Sequence, residues 1–195
     1  MNVNGNNQFN GRFSISSLQK QNSKGYQIYF GMLLSGAGGG IRTHECLSQR
    51  ILSPPPYLRL FSGLTVKVIN DCHGLTVLAD SFLRQLFYNF VDNTIKYGKK
   101  TTAIRVYYKK AEAGELRLIY EDDGVGISAE NKLKLFKEGF STGGSTGFGL
   151  FLIRKMMDVY GWQIQETGEP GEGAKFTITI PKLNKNGKEN FQITR

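Results

Sequence analysis

The 195-residue sequence contains little cysteine and histidine, and it has no long hydrophobic run. Two cysteines and two histidines give neither a disulfide framework nor a zinc-binding pattern. The longest apolar run, around residues 28–34, is far shorter than the roughly 20 residues that a membrane-spanning helix needs, and the N-terminus lacks a signal-peptide layout. We therefore expect a protein of a reducing, cytoplasmic setting with no membrane segment.

Acidic residues are scarce in one part of the chain, and this decides how the net charge of +9 is interpreted. Residues 1–62 contain six Lys or Arg and one Glu, whereas residues 63–195 contain nineteen basic and fifteen acidic residues. No arginine-rich helix and no alternation of basic and aromatic residues accompanies the basic excess. A solvated charged surface is therefore favoured over a nucleic-acid groove, and we expect no nucleic-acid partner.

Residues 1–25 show no sustained helical or strand period, and we expect residues 1–62 as a whole to be a poorly structured segment with a Gly/Pro-rich linker. One apolar run, at residues 26–34, favours a strand before Gly-rich and Pro-rich stretches interrupt regular structure. The stretch GGIRTHECLSQRILSPPP fits a Gly/Pro-rich linker, and it also resembles conceptual translations that run through a transfer-RNA gene. On the second interpretation, this part of the chain was never selected to fold.

Residues 63–182 have a different pattern, in which short alternating apolar segments are separated by turns. The predicted strands are LTVKVIN, GLTVLAD, TAIRVYYKK, ELRLIYE, WQIQETG and AKFTITIP. We expect the first two to form a hairpin around residues 71–74, the next two to be antiparallel neighbours, and the last two to flank the GEPGEG turn. Residues 183–195 form a polar tail that we expect to fray.

A helix is predicted over residues 80–97, with Asp80 as its N-terminal cap and Gly98 at its end. Side chains four and seven residues apart project into the same sector of a helix surface. One sector therefore carries two amides and an ammonium group, with an aromatic ring at its edge, from Asn89, Asn93, Lys96 and Tyr97. Amides bind hard cations, ammonium binds phosphate and a ring packs on a base, so the set suits a nucleotide. A solvated polar face is the alternative.

Two glycine-rich turns follow this helix. The first has a D-x-G-x-G spacing at the end of a predicted strand, which permits close approach to a ligand but also fits a plain surface turn. The second, STGGSTGFG, leads into an amphipathic helix, where convergent N–H groups and the helix dipole favour an anion. Residues 127–146 form a long connection between them, and we expect this lid segment to cover the ligand.

In order, the motifs N-x-x-x-N-x-x-K-Y, D-x-G-x-G-I, F-x-x-x-F with G-x-G-L, and G-x-G-A-x-F resemble the ATP-binding catalytic domain of sensor histidine kinases. This family is shared with gyrase, heat-shock protein 90 and the mismatch-repair ATPases. The resemblance covers residues 64–181, and residues 151–181 look like archaeal-type sensor kinases. We expect an α+β fold, a two-layer sandwich with a mixed, mostly antiparallel sheet of about five strands and helices on one face.

The resemblance implies ATP and Mg²⁺ as cofactors and a role for each motif residue. Asn93 would bind Mg²⁺ through its amide oxygen, with Asn89 assisting and Lys96 meeting phosphate charge, although no residue is assigned as a certain catalytic group. Asp122 would accept a hydrogen bond from the adenine amino group, and Tyr97 would pack beside adenine. The other implied nucleotide contacts are Gly124, Gly126, Ile127, Phe136, Phe140, Thr146, Gly147, Gly149, Leu150, Gly171 and Gly173.

Two positions depart from relatives in the family. Hydrolysing relatives have a glutamate that activates water where this chain has Asn89, and an amide cannot act as a general base. The resemblance therefore implies phosphoryl transfer to a histidine on a separate or missing dimerisation helix, with a response regulator as a further partner. Ala174 stands where the family often has threonine, so a hydroxyl contact there is in doubt.

Neither histidine of the chain matches an acceptor histidine in a helical hairpin. His44 has no helical periodicity around it, and His73 lies in a predicted turn. We therefore expect no autophosphorylation by this chain alone. Two alternatives stay open: a nucleotide-driven conformational module, and an ATP-binding regulatory module or degenerate fragment without phosphotransfer.

Overall fold

The computed structural model describes residues 66–79, 82–111, 114–143 and 145–193, together with the backbone of residues 11–22 and 25–35. Its elements are β1 (Gly11–Asn22), β2 (Gly25–Ser35), β3 (Lys67–Asp71), β4 (Leu75–Ala79), α1 (Phe82–Tyr97), β5 (Ala103–Lys110), β6 (Leu116–Asp122), α2 (Ala129–Lys132), α3 (Gly149–Tyr160), β7 (Gln163–Glu166), β8 (Lys175–Ile180) and β9 (Phe191–Ile193). None of the helices in these ranges is both long and apolar enough to cross a membrane. The predicted linker GGIRTHECLSQRILSPPP and the predicted cap at Asp80 lie outside the described residues.

A five-stranded sheet in the order β3-β5-β6-β8-β7 forms one layer of the domain. β3 and β5 are parallel, and the other neighbours are antiparallel. Side chains alternate in burial along β8, where Phe176, Ile178 and Ile180 are buried and the residues between them are partly exposed. The predicted mixed, mostly antiparallel sheet of five strands is therefore confirmed, with the expected β5–β6 and β7–β8 pairs.

The second layer is formed by α1 and α3, which pack their apolar stripes on the sheet. Residues three and four apart on α1 share a face, and those that are buried there are Leu83, Leu86, Phe87 and Phe90. The Phe90 ring stacks on Phe176 of β8, with centroids 4.4 Å apart and planes 15° apart, and it lies 5.0 Å from the Tyr120 ring of β6. Ile153 and Met157 bury the inner face of α3. The contact of Phe90 with Phe176 fixes α1 against the centre of the sheet.

The predicted hairpin of β3 and β4 is wrong, because the two strands lie in different sheets. β3 pairs with β5, whereas β4 pairs with β1 and β9 in a four-stranded sheet of order β2-β1-β4-β9. A tight turn does join them, since the Leu75 N–H donates to the Cys72 carbonyl oxygen at 3.1 Å. Local alternation predicted both strands correctly, but a parallel partner that comes more than thirty residues later leaves no local signal.

Two segments that were expected to lack regular structure contain strands. β1 runs antiparallel to β2, which contains the predicted strand at residues 26–34. Near the C-terminus, β9 pairs with β4, and the preceding Asn190 is only 2% exposed and donates its side-chain amide to the Pro181 carbonyl oxygen at 2.9 Å. The expectation of a frayed tail is therefore wrong as far as residue 193. In both segments the backbone N–H and C=O groups are hydrogen-bonded by strand pairing, which the polar composition gave no reason to expect.

The Phe90 contact gives a test of this packing. We expect Phe90→Ala to lower the free energy of unfolding by about 3–5 kcal/mol, because it leaves a cavity between α1 and the sheet. Urea denaturation followed by circular dichroism measures the change. Val159→Ala, at a position of α3 that is 71% exposed, is the control and should change stability by less than about 0.5 kcal/mol. A loss at Phe90 no larger than in the control would contradict the packing described.

Candidate functional site

A cavity of about 1010 Å³ lies between the C-terminal half of α1, the end of β6, the lid segment and the start of α3. Its lining combines apolar and polar side chains, with apolar surface predominating. The sequence-predicted residues that line it are Asn93, Lys96, Tyr97, Asp122, Gly126, Ile127, Phe140, Gly147, Gly149 and Leu150. Those that lie outside its described lining are Asn89, Gly124, Phe136, Thr146, Gly171 and Gly173.

The Asp122 carboxylate is the buried charged group of the cavity wall. It lies at the end of β6 and is 8% exposed. Its Oδ1 accepts hydrogen bonds from the N–H groups of Gly124 (2.9 Å) and Ala174 (3.1 Å), and its Oδ2 accepts one from the Thr94 hydroxyl at 2.6 Å. Donors from α1, from the turn after β6 and from the residue before β8 thus compensate the burial of this charge. Sequence reasoning missed Thr94, although it directly follows Asn93 in the first motif.

The glycines around Asp122 allow segments of backbone to pack behind the cavity wall. Gly173 has φ +108°, and a Cβ there would lie 1.8 Å from the Asp122 carbonyl oxygen. Gly126 has φ +69°, and a Cβ there would lie 2.8 Å from the Glu169 carbonyl oxygen. Both positions combine a left-handed conformation with a close approach, which only glycine meets without strain. Gly173 thus supports Asp122 from behind, whereas Gly126 also lines the cavity.

The three predicted polar groups of α1, Asn89, Asn93 and Lys96, differ in the contacts that they make. The Asn89 side chain donates to the Gly149 carbonyl oxygen at 3.3 Å and accepts from Gln85 at 3.3 Å, so it connects α1 to the start of α3. Asn93 lines the cavity, and no described side chain hydrogen-bonds its amide. The Lys96 ammonium also lines the cavity and pairs with Asp92 at 2.5 Å. Asn93 is therefore the amide of the pair that is available to a ligand.

Tyr97 contacts the lid segment. Its hydroxyl lies 2.9 Å from the Ser145 Oγ and 3.4 Å from the Ser141 Oγ, and these two serine oxygens are 2.9 Å apart. A Cβ at Gly143 would lie 2.7 Å from the Tyr97 ring, so the loop backbone packs directly against it. Tyr97 thus joins α1 to the lid in this structure, in addition to lining the cavity.

A second contact fixes the other end of the lid segment. The Lys132 ammonium of α2 lies 2.8 Å from Glu166 Oε2 and donates to the Gly168 carbonyl oxygen. The Glu166 side chain is 2% exposed, and its Oε1 accepts the N–H groups of Gly168 and Lys175. The contact between Lys132 and Glu166 Oε2 is an ion pair whose geometry does not meet that of a hydrogen bond. Thirty-four residues separate the two partners, so sequence reasoning had no signal for this pair.

The two phenylalanines of the lid segment lie in different places. Phe140 lines the cavity, whereas Phe136 is half-buried against the hydrophobic core. Gly147, with φ +69°, packs its backbone on that of Phe140. Thr146 is exposed. The lid segment is therefore held by apolar as well as polar contacts, and it covers one side of the cavity.

These features define a class of protein, an α+β domain with a small-molecule cavity between helix and sheet, flanked by glycine-rich turns and a lid. A family model described as "Histidine kinase-, DNA gyrase B-, and HSP90-like ATPase" matches residues 79–184, just over half of the chain. The chain therefore belongs to this family, and the matched part is the ATP-binding catalytic domain of a sensor histidine kinase.

Curated relatives include several sensor proteins. The chain is 30% identical over 124 residues to the sensor protein GacS of Pseudomonas syringae pv. syringae, covering 57% of this chain and 14% of that protein. It is 30% identical over 140 residues to the adaptive-response sensory kinase SasA of Parasynechococcus marenigrum, covering 67% of this chain and 37% of that protein. The chain thus spans well under half the length of these relatives.

Solved structures of histidine kinases share the fold. The catalytic domain of histidine kinase ThkA matches with a TM-score of 0.52 and 25% identity, covering 70% of this chain and 85% of that one. Full-length ShkA in complex with AMPPNP matches with a TM-score of 0.53 and 24% identity, covering 60% of this chain and 25% of that one. The fold of the described domain is therefore that of histidine kinase catalytic domains.

Two glycines of the turn that precedes β8 give a matched pair of variants. Gly171 and Gly173 both have positive φ, but a Cβ at Gly171 would meet nothing within 4 Å. We expect Gly171→Ala to lower the free energy of unfolding by about 1–2 kcal/mol from backbone strain alone. Gly173→Ala should cost about 1–3 kcal/mol more, because its Cβ overlaps the Asp122 backbone. Urea denaturation of both variants measures the difference, and equal losses would show that close packing on Asp122 is not what Gly173 provides.

Proposed function

We propose that the cavity binds ATP with Mg²⁺ and that the domain transfers the γ-phosphoryl group to a histidine outside the described residues, in a two-component signalling system. The observation that carries this proposal is Asp122. It is a buried carboxylate in the lining of a cavity that Asn93 and Lys96 of α1 also line. A nucleotide would then bind with its base at Asp122 and its phosphates beside Asn93 and Lys96.

The chemistry around Asp122 favours adenine. A carboxylate can only accept hydrogen bonds, and adenine presents an exocyclic amino group that donates. Apolar side chains in the lining of the same cavity would provide walls for a flat ring, and among them are Val125, Ile127, Leu135 and Phe176. A purine would thus exchange water for apolar contact while its amino group meets a fixed acceptor.

The donor set of the cavity fits Mg²⁺ held partly by the nucleotide. The described residues contain no group of three or more His, Cys, Asp or Glu that could hold a metal ion by themselves. Asn93 would supply an amide oxygen, with Asn89 nearby on α1, and phosphate oxygens would complete the ligands, as Mg²⁺ prefers in kinase sites. The ion would neutralise charge that develops on the transferred phosphoryl group.

The polar groups of the cavity support transfer rather than hydrolysis. Asp122 is the only carboxylate among its described lining residues, and its two oxygens already accept three hydrogen bonds. Asn89 cannot remove a proton from water, and its amide is engaged with Gly149 and Gln85. Without a free general base beside the phosphates, water is poorly activated, and positioning and charge neutralisation are what the site provides.

The acceptor histidine and the response regulator are proposed as separate partners. His73 is exposed in the turn between β3 and β4 and is not part of a helix. The relatives that match the domain are named sensor kinases and sensor proteins, which supports a histidine-bearing dimerisation helix as the phosphoryl acceptor. A cytoplasmic location stays a prediction from the sequence.

The metal role of Asn93 has a direct test. We expect wild type to bind ATP at least about tenfold more tightly with Mg²⁺ than with EDTA, because the ion connects the phosphates to α1. Asn93→Ala should bind ATP with no difference between the two conditions. Isothermal titration calorimetry measures both affinities. Asn186→Ala, an exposed asparagine outside the described lining, should keep the wild-type difference. Persistence of the Mg²⁺ dependence in Asn93→Ala would refute the assignment.

The reaction is tested with labelled ATP. We expect the chain alone to acquire no acid-labile phosphohistidine, and a purified histidine-bearing dimerisation domain of a related sensor kinase to be labelled when it is added. Asp122→Asn should abolish that labelling, because its amide presents a donor to the adenine amino group. His73→Ala serves as the control and should transfer normally. Label on the wild-type chain itself, or steady release of phosphate without an acceptor, would count against the proposal.

A further inference from the structure

Three buried polar groups form a hydrogen-bonded chain that ends at the cavity. The Tyr120 hydroxyl lies 2.9 Å from Thr94 Oγ1, which lies 2.6 Å from Asp122 Oδ2. Tyr120 is 1% exposed, Thr94 is 4% exposed and Asp122 is 8% exposed. Only Thr94 and Asp122 also line the cavity, so the chain connects the hydrophobic core to the cavity wall.

The number of protons that each of the three groups can donate fixes the direction of both hydrogen bonds between them. A carboxylate accepts only, so the Thr94 hydroxyl gives its single proton to Asp122. Thr94 then has no proton left for Tyr120, and the Tyr120 hydroxyl must be the donor between them. Burial raises the pKa of Tyr120 well above its usual value, which keeps the phenol protonated and able to donate. The order is therefore Tyr120 to Thr94 to Asp122.

The hydrogen bonds to Asp122 limit how a ligand can approach its carboxylate. The two oxygens of a carboxylate have about four acceptor directions in all. On Oδ1, the N–H groups of Gly124 and Ala174 take both directions. On Oδ2, Thr94 takes one direction and leaves one. A ligand therefore meets a single acceptor direction, held in place by a short, charge-assisted hydrogen bond.

We propose that Thr94 is a positioning residue that sets the purine selectivity of the site, favouring a 6-amino purine over a 6-oxo purine through the one free acceptor direction of Asp122. This inference rests on the proposed function, since it requires a purine at Asp122. A 6-oxo purine turns a carbonyl oxygen toward the carboxylate, and two acceptors repel. Without Thr94, Oδ2 gains a second free direction, and a water molecule can enter and bridge to either base.

The inference predicts a change in the ratio of two affinities. The probes are ATP and inosine triphosphate, with Mg²⁺, measured by isothermal titration calorimetry. Wild type should prefer ATP, and Thr94→Val, which removes the hydroxyl at nearly constant shape, should reduce that preference by about tenfold, chiefly by weakening ATP binding. Thr94→Ser restores the donor and should recover the preference to within about threefold.

Two further variants separate positioning from folding. Tyr120→Phe keeps the Thr94 hydroxyl but removes its donor, and we expect it to reduce the preference by about two- to threefold. Thr179→Val, on β8 outside the described lining of the cavity, should leave both affinities unchanged. Urea denaturation of each variant without nucleotide reports folding separately. If Thr94→Val does not fold, Tyr120→Phe and Thr94→Ser carry the test, and an unchanged preference in the Tyr120 variant overturns the inference.

The outcomes distinguish this inference from the proposed function. If wild type binds neither nucleotide, both the proposed function and the inference fail. If wild type prefers ATP and Thr94→Val keeps that preference, the inference alone fails. Equal weakening of both nucleotides in Thr94→Val would indicate a purely structural role and would also overturn it. A reduced preference in Thr94→Val that Thr94→Ser restores supports it.

Discussion

Burial of the Asp122 carboxylate is the constraint around which the domain is arranged. A charge removed from water is costly unless donors surround it, and here the donors come from three separate parts of the chain. Thr94 on α1, Gly124 after β6 and Ala174 before β8 must all be in place at once. The same contacts that compensate the charge therefore fix the helix, the sheet and the loop that border the cavity.

The hydrophobic core directly supports this polar group. Phe90, Tyr120 and Phe176 pack together between α1 and the sheet, and Tyr120 belongs both to this aromatic cluster and to the hydrogen bonds that reach Asp122. A shift of the core would therefore move an acceptor in the cavity. Stability and ligand recognition thus depend on the same side chains, which restricts how either can change without the other.

Local patterns predicted much of the fold, because alternation and helical spacing are properties of neighbouring residues. They identified α1, the pairs β5–β6 and β7–β8, and the polar helix face that carries Asn93, whereas Asp122 was predicted from its D-x-G-x-G motif and the family resemblance. They failed where pairing depends on distant residues. The partner of β3 and the pairing of β9 with β4 are examples, and so is the contact of Lys132 with Glu166. Thr94 was missed because a hydroxyl on a buried helical face has no periodic signal.

The lid segment is attached in two unequal ways. Near α2, Lys132 pairs with the buried Glu166, and separating them would strand a charge in the interior. Near α1, Tyr97 is held by serine hydroxyls that are largely open to solvent, and water can replace those bonds at little cost. The contacts that hold the lid segment beside Tyr97 are therefore weaker than the buried ion pair near α2, and water competes for them directly.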